Sequence, residues 1–286
     1  MGYANPNALV STAWLAGCAT APDIRVVDAT MFLPTDPRNA LAEYRACHIP
    51  GAVFFDVDEI ADTDSGLPHM LPSPEKLSSR VRRLGIGDGN RIVVYDRMGG
   101  AMAAARVWWT FRTFGHTDIA VLDGGLTKWL AEGRPTNETV PLPQPRHFSI
   151  RQNRTAVRDY ARMLSNIESR QEQVVDARSA RRFAGLDPEP RPTKKAGHIP
   201  GSLNLPFDRL LDKDRQMAFR PADEIVQAFA DAGVDLKRPI ATTCGSGVTA
   251  AFLAFALHLI GKTDVAVYDG SWAEWGNKDG APVERA

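Results

Sequence analysis

The chain has 286 residues, 44% of them hydrophobic and 24% charged, with 34 basic side chains balanced by 34 acidic ones. This length suits two ordinary domains, and the balanced charge gives no pull toward nucleic acid or an anionic membrane. No apolar run reaches the roughly 20 residues of a membrane span. Met1-Gly2-Tyr3-Ala4-Asn5-Pro6 lacks the basic-then-apolar order of a secretory signal, and Pro6 stands where myristoylation wants Ser or Thr. The three cysteines, Cys18, Cys47 and Cys244, are too far apart for a disulfide framework or a zinc-ligand pattern. A reducing, cytoplasmic setting fits this cysteine usage.

In chain order, the pattern predicts a helix over 8–16 and strands over 24–29 and 52–56. A helix over 74–84 follows, with Ser73 at its N-cap and Pro74 in its first turn. A strand over 91–95, a helix over 101–114 and a strand over 119–122 close the first half. From Arg134 to Thr155 the chain is polar and carries Pro135, Pro141, Pro143 and Pro145, so it reads as a semi-extended connector. Beyond it the same order returns: strands over 173–176 and 202–205, a helix over 222–232, a strand over 239–242, a helix over 250–260 and a strand over 265–268. Such alternation predicts an α/β fold in which each half is a mostly parallel sheet covered by helices on both faces. The expected boundaries are 1–134, a linker over 135–155, and 156–286.

The two halves repeat each other at an offset of about 150 residues. Val26-Val27-Asp28-Ala29 recurs as Val174-Val175-Asp176-Ala177, and His48-Ile49-Pro50-Gly51 as His198-Ile199-Pro200-Gly201. The segment 114–124 answers 260–270, and Trp129 answers Trp275.

Chemistry concentrates at Thr243-Cys244-Gly245-Ser246-Gly247-Val248-Thr249, between a buried strand and an almost wholly apolar helix. The first amides of a helix lack partners and carry partial positive charge. Gly245 and Gly247 let successive amides converge into an anion-binding nest, and a cysteine there is well placed to act as a thiolate nucleophile. A buried structural cysteine would not need two glycines and two hydroxyls around it. In parallel sheets, sites form at the carboxyl ends of strands, where Cys244 would sit.

Together, the paired Asp-Ala strand ends, the two His-Ile-Pro-Gly elements and the Asp-Gly…Trp closures resemble tandem-domain rhodaneses across nearly the whole chain. The Cys244–Thr249 loop is similar to that of the 3-mercaptopyruvate sulfurtransferase branch, whereas thiosulfate sulfurtransferases usually place Arg and Lys after the cysteine. The resemblance implies two tandem rhodanese-like domains and a cofactor-free sulfur transfer. Cys244 would take sulfur from 3-mercaptopyruvate as a persulfide, release pyruvate, and pass the sulfur to a thiol acceptor such as a thioredoxin, or to cyanide. It further implies that Arg182 and Arg191 clamp the donor's carboxylate and carbonyl. The amides of Gly245, Gly247, Val248 and Thr249 would cradle the sulfur. Ser246, His69 and Asp58 would form a proton relay reaching in from the first half. Arg is suited to the clamp because its fork binds carboxylate bidentately. Arg181, adjacent to Arg182, is the residue most easily confused with it.

Each assignment has a plainer counterpart. Arg178, Arg181 and Arg182 could form a solvated run, Asp58 could cap a turn, and His69 could sit on a surface loop. The first half carries Asp96 at the cysteine's position, and a carboxylate cannot hold sulfane sulfur, so that half reads as silent. Cys18 and Cys47 read as structural, His48 and His198 as turn residues, and the tryptophans as core or interface. Thiosulfate:cyanide transfer and a non-enzymatic sulfur-carrier or regulatory role are the alternatives within the fold. A phosphatase of related fold needs an Arg separated from the cysteine by five residues; position 250 is Ala and no Arg occurs in the loop.

Overall fold

Two five-stranded parallel sheets carry the chain in the computed structural model, which describes residues 2–99 and 102–285. The first half runs β1 (Leu9–Val10), α1 (Thr12–Cys18), β2 (Ile24–Asp28), α2 (Ala40–Ala46), β3 (Val53–Phe54), α3 (Val57–Ile60), α4 (Pro74–Arg83), β4 (Arg91–Tyr95), α5 (Met102–Thr113), β5 (Ile119–Leu122) and α6 (Gly125–Ala131). The second runs β6 (Val157–Arg158), α7 (Tyr160–Ser169), β7 (Gln173–Asp176), α8 (Ala180–Phe183), β8 (Leu203–Asn204), β9 (Leu211–Asp212), β10 (Ala218–Phe219), α9 (Ala222–Asp231), β11 (Ile240–Thr243), α10 (Val248–Leu259), β12 (Val265–Tyr268) and α11 (Ser271–Trp275). The sheet orders are β1-β5-β4-β2-β3 and β6-β12-β11-β7-β8, so the sequence repeat is a repeat of topology. The antiparallel pair β9–β10 belongs to the second half alone among the described residues. The central strands are buried on both faces, which explains their continuous Val/Ile runs.

Local chemistry moves several predicted boundaries. The segment predicted as a helix over 8–16 is instead a 3-10 turn (Pro6–Ala8), strand β1 and helix α1. Ser11 accepts a hydrogen bond from Trp14 N and starts the helix there, while Leu9–Val10 pairs with β5 as an edge strand. The strand predicted to run to Asp56 stops at Phe54, because the Asp56 carboxylate caps α3 through Asp58 N and Glu59 N. Helix α10 begins at Val248 rather than 250, because Gly247 adopts φ 79° and turns the chain into it. Ser73 caps α4 as expected, accepting from Lys76 N. For the helix predicted over 101–114, Ala101 lies outside the described residues. The connector forms neither helix nor extended sheet between Val140 and Asn153, yet it is strapped to the first half. Phe148 is buried against Phe111 and His116, and Arg151 N donates to Phe114 O.

The halves meet along α5 and α10, both buried almost all round. Trp108 packs edge-on against Phe255 at 4.8 Å and lies 5.0 Å from the His258 ring. The N-terminal arm crosses over, with Tyr3 Oη donating to Arg220 O and Ala4 N to Leu259 O. The repeated motif residues hold turns. His48 Nδ1 lies 2.8 Å from Tyr44 O and His198 Nδ1 2.9 Å from Phe183 O. Trp129 and Trp275 Nε1 donate to Pro135 O and Pro282 O respectively, both at 2.8 Å.

Burial, and then the Arg112 charge, push the His258 imidazole down to about 4 from its ordinary 6.5. Below pH 6.5 the unfolded chain takes up a proton that the folded interface refuses, so stability is lost progressively as pH falls toward 4. The thermal midpoint should therefore drop between neutral pH and about pH 4.5, and His258→Gln should show a smaller drop than the wild type in calorimetry.

Candidate active site

The cysteine loop is shaped from beneath. Cys244 follows the last residue of β11 and is 2% exposed. Its backbone N–H donates to Ser271 Oγ at 3.2 Å. The turn into α11 returns two amides to the loop: Trp272 N donates to Cys244 O at 2.9 Å and Ala273 N to Gly245 O at 2.8 Å. Gly247, the N-cap of α10, brings no side-chain cap. The opening amides of that helix therefore remain available to an anion, with the dipole's positive end behind them. Gly247 has a second reason to be glycine: a Cβ there would lie 2.8 Å from Asp269 O and 2.9 Å from Arg106 Nη1.

Above the loop lies a cavity of about 270 Å³. Cys244, Gly245, Ser246, Val248 and Thr249 form its floor, and Arg182, Arg191 and Glu189 form a charged wall. Met31, Phe32, Leu33, Met98 and Met102 of the first half supply an apolar wall. Arg182 lies on the short helix α8, capped by Ser179. Its guanidinium pairs with Glu189 through both Nη2 and Nε, the latter at 3.1 Å. Gly245 makes this approach possible, since a Cβ there would lie 2.7 Å from Arg182 Nη2. Arg181 points to solvent and pairs with Asp187 at 2.8 Å, so the two neighbours are separated by the helix turn. Among the described residues Arg191 makes no hydrogen bond or ion pair through its side chain. Burial lowers its pKa, opposed by the acidic neighbours Asp58 and Cys244; as an arginine it stays charged.

His69 reaches the cavity from the first half, its side chain fully buried. Its Nδ1 lies 2.8 Å from Asp58 Oδ1, with the carboxylate off the ring N–H direction, and its Nε2 has no partner among the described residues. Burial lowers the imidazole's pKa and outweighs the pull of Asp58, so the ring is neutral at neutral pH. The same pairing, more than any other effect, lowers the Asp58 carboxyl. Ser246 shares the cavity with His69, but no hydrogen bond joins them among the described residues. The Asp58–His69 half of the relay is thus in contact and the Ser246 half is not.

Several residues escaped the sequence reading. Arg178, its side chain fully buried, pairs with Asp176 and Glu189, each at 2.7 Å, and lies 4.6 Å over the Trp272 ring. Glu189 therefore bridges the buried Arg178 to the cavity-facing Arg182. Arg106, a cation inside the apolar run of α5, pairs with Asp269 at 2.7 Å beneath the loop. A charge in so apolar a helix was the available signal. At the equivalent loop of the first half, Asp96 O accepts from Leu126 N at 3.0 Å, the counterpart of the Trp272–Cys244 bond. Its carboxylate turns inward to Met98 N and Ala104 N at 3.2 and 3.1 Å, and burial raises it to about 6. Cys18 ends α1 and Cys47 follows α2; all three cysteines are free thiols.

Two like-ordered parallel sheets, one ending in a cysteine loop and the other in an aspartate loop, define a duplicated α/β protein with a thiol site in its second half. The rhodanese-like domain model matches residues 12–132 and 159–278, and the chain belongs to the rhodanese family. It is similar to human 3-mercaptopyruvate sulfurtransferase, 42% identical over 274 residues (94% of this chain and 92% of that one). It is 44% identical to rat thiosulfate sulfurtransferase over 276 residues, with the same coverage. The crystal structure of SseA, a 3-mercaptopyruvate sulfotransferase from Escherichia coli, superposes with a TM-score of 0.85 at 37% identity, covering 93% of this chain and 99% of that one.

Gly245→Ala tests the contact between the loop and Arg182. The added methyl displaces the far end of Arg182 and not the backbone, so the thermal midpoint should hold. The donor's KM should rise about tenfold, the scale of one charge-assisted contact.

Proposed function

We propose that this chain is a sulfurtransferase that moves sulfur from 3-mercaptopyruvate through a Cys244 persulfide to a thiol acceptor. The observation that carries this reading is one cavity holding a buried cysteine on a helix-start loop and two arginines, Arg182 and Arg191, on a single wall. Two cations suit a donor with a carboxylate and an adjacent carbonyl. The assigned catalytic half is 156–286, joined through the connector 135–155 to the silent half, 1–134.

In the first step the Cys244 thiolate attacks the donor's sulfur. The S–S bond forms as the C–S bond breaks, and the bonding pair leaves on carbon as the enolate of pyruvate, which then takes a proton. Arg182 and Arg191 hold the carboxylate and carbonyl and stabilise the enolate oxygen. The amides of Gly245, Gly247, Val248 and Thr249 hold the charged sulfur. Neutral His69, oriented by Asp58, and Ser246 handle the proton that leaves the donor's thiol and returns to carbon. In the second step an acceptor thiolate attacks the outer sulfur and regenerates the Cys244 thiolate. No step requires a net oxidant. A thioredoxin or a small thiol fills the acceptor's role, and a cytoplasmic setting keeps Cys18, Cys47 and Cys244 reduced.

Thiosulfate is the second donor to weigh, because relatives carrying either name are about equally similar to this chain. The loop supports 3-mercaptopyruvate: residues 245–249 contain no Lys or Arg to meet a dianion. Steady-state kinetics with both donors test this. The expected result is a higher kcat/KM for 3-mercaptopyruvate and a loss of about 2 kcal/mol or more in Arg182→Ala. A preference for thiosulfate, or an unaffected Arg182→Ala, would contradict the donor assignment while leaving Cys244 as nucleophile.

A further inference from the structure

The silent half contributes more to the site than His69. Arg106 of α5 is 2% exposed, stacked 4.6 Å over the Trp109 ring, and its guanidinium faces three partners that belong to different parts of the chain. Nη2 donates to the carbonyl of His69. Nη1 pairs with Asp269 Oδ1 at 2.7 Å and reaches the carbonyl of Gly247 at 3.4 Å. The other oxygen of Asp269 accepts from Leu71 N at 2.8 Å. One ion pair therefore grips the first-half loop at residues 69 and 71 and the cysteine loop at its helix-start glycine.

Both grips fall where the backbone is constrained. His69 sits at φ 60°, a left-handed conformation that a non-glycine residue holds only under external restraint. Gly247 sits at φ 79°. Among the described residues the imidazole has no hydrogen-bond partner besides its skewed approach to Asp58, so the placement of the ring against the loop depends on its backbone. We infer that Arg106 is a positioning residue for sulfur transfer: by bridging the carbonyls of His69 and Gly247 it sets the imidazole's place relative to Cys244. This rests on the role of His69 proposed above. It also gives the silent half a chemical reason to be present.

A lysine at 106 can keep an ion pair with Asp269, but a compact ammonium cannot span both carbonyls as the planar fork does. Arg106→Lys should therefore fold, with a retained thermal transition, KM for 3-mercaptopyruvate within about twofold and kcat down about tenfold or more, within the range of a positioned proton-transfer group. The discriminating readout is a double-mutant cycle with His69→Ala. If Arg106 acts through the imidazole, His69→Ala/Arg106→Lys should have the kcat of His69→Ala alone. If the two losses multiply, or if Arg106→Lys keeps full kcat, the inference is overturned. If His69→Ala itself keeps full kcat, the assignment of His69 falls and the inference falls with it. Should Arg106→Lys not fold, Arg106→Met/Asp269→Asn removes both buried charges together and leaves neither unpaired. In the same cycle, that pair should again add no loss to His69→Ala, and multiplied losses would again overturn the inference.

Discussion

The backbone of the loop from Cys244 to Gly247 is anchored by its carbonyls. Cys244 O and Gly245 O accept from the first amides of α11, and Gly247 O faces the Arg106 guanidinium. Three of the loop's carbonyls are thus held by protein groups, as is the Cys244 amide, which donates to Ser271 Oγ. The helix start at Val248 follows from the turn at Gly247, whose carbonyl faces Arg106. The bare face of Gly245 admits the Arg182 guanidinium against the same loop, in the arrangement from which donor binding is proposed. Glu189 keeps that arginine in place by sharing its carboxylate with buried Arg178.

The duplicated halves share one architecture but differ at the loop that carries the cysteine. Asp96 occupies the cysteine's place in an equivalent loop, and its carboxylate satisfies local amides instead of facing a substrate. The first half supplies the second half's cavity with one apolar wall, the Asp58–His69 pair and the Arg106 ion pair. The continuous packing of α5 on α10 is what lets groups from one half be placed with precision in the site of the other.

Much of this was legible in the sequence, for identifiable reasons. Central strands such as Ile119–Leu122 and Val265–Tyr268 are uniform apolar runs with polar borders, and they fall where the pattern puts them. The edge strands Leu9–Val10 and Val157–Arg158 are two residues long and carry no period to detect. The Cys244 loop is local, so its glycines betray it. Arg182 and Arg181 could not be told apart by composition; the turn of α8, set by the Ser179 cap, sends one inward and the other to Asp187. Arg106 and Glu189 act through partners distant in sequence or through charge sharing, which no linear spacing encodes. For Ser246 and His69, the resemblance implied a linked relay, and the structure leaves them in one cavity without a hydrogen bond.

The central claim is that sulfur rests on Cys244. Incubating the protein with one equivalent of 3-mercaptopyruvate and no acceptor, then mapping its peptides by mass spectrometry, tests this most directly. The account predicts the added mass of one sulfur atom on the peptide containing Cys244, matched by one pyruvate released, with Cys18 and Cys47 unmodified. Sulfur on either of those cysteines, or pyruvate released with no sulfur retained on Cys244, would contradict it.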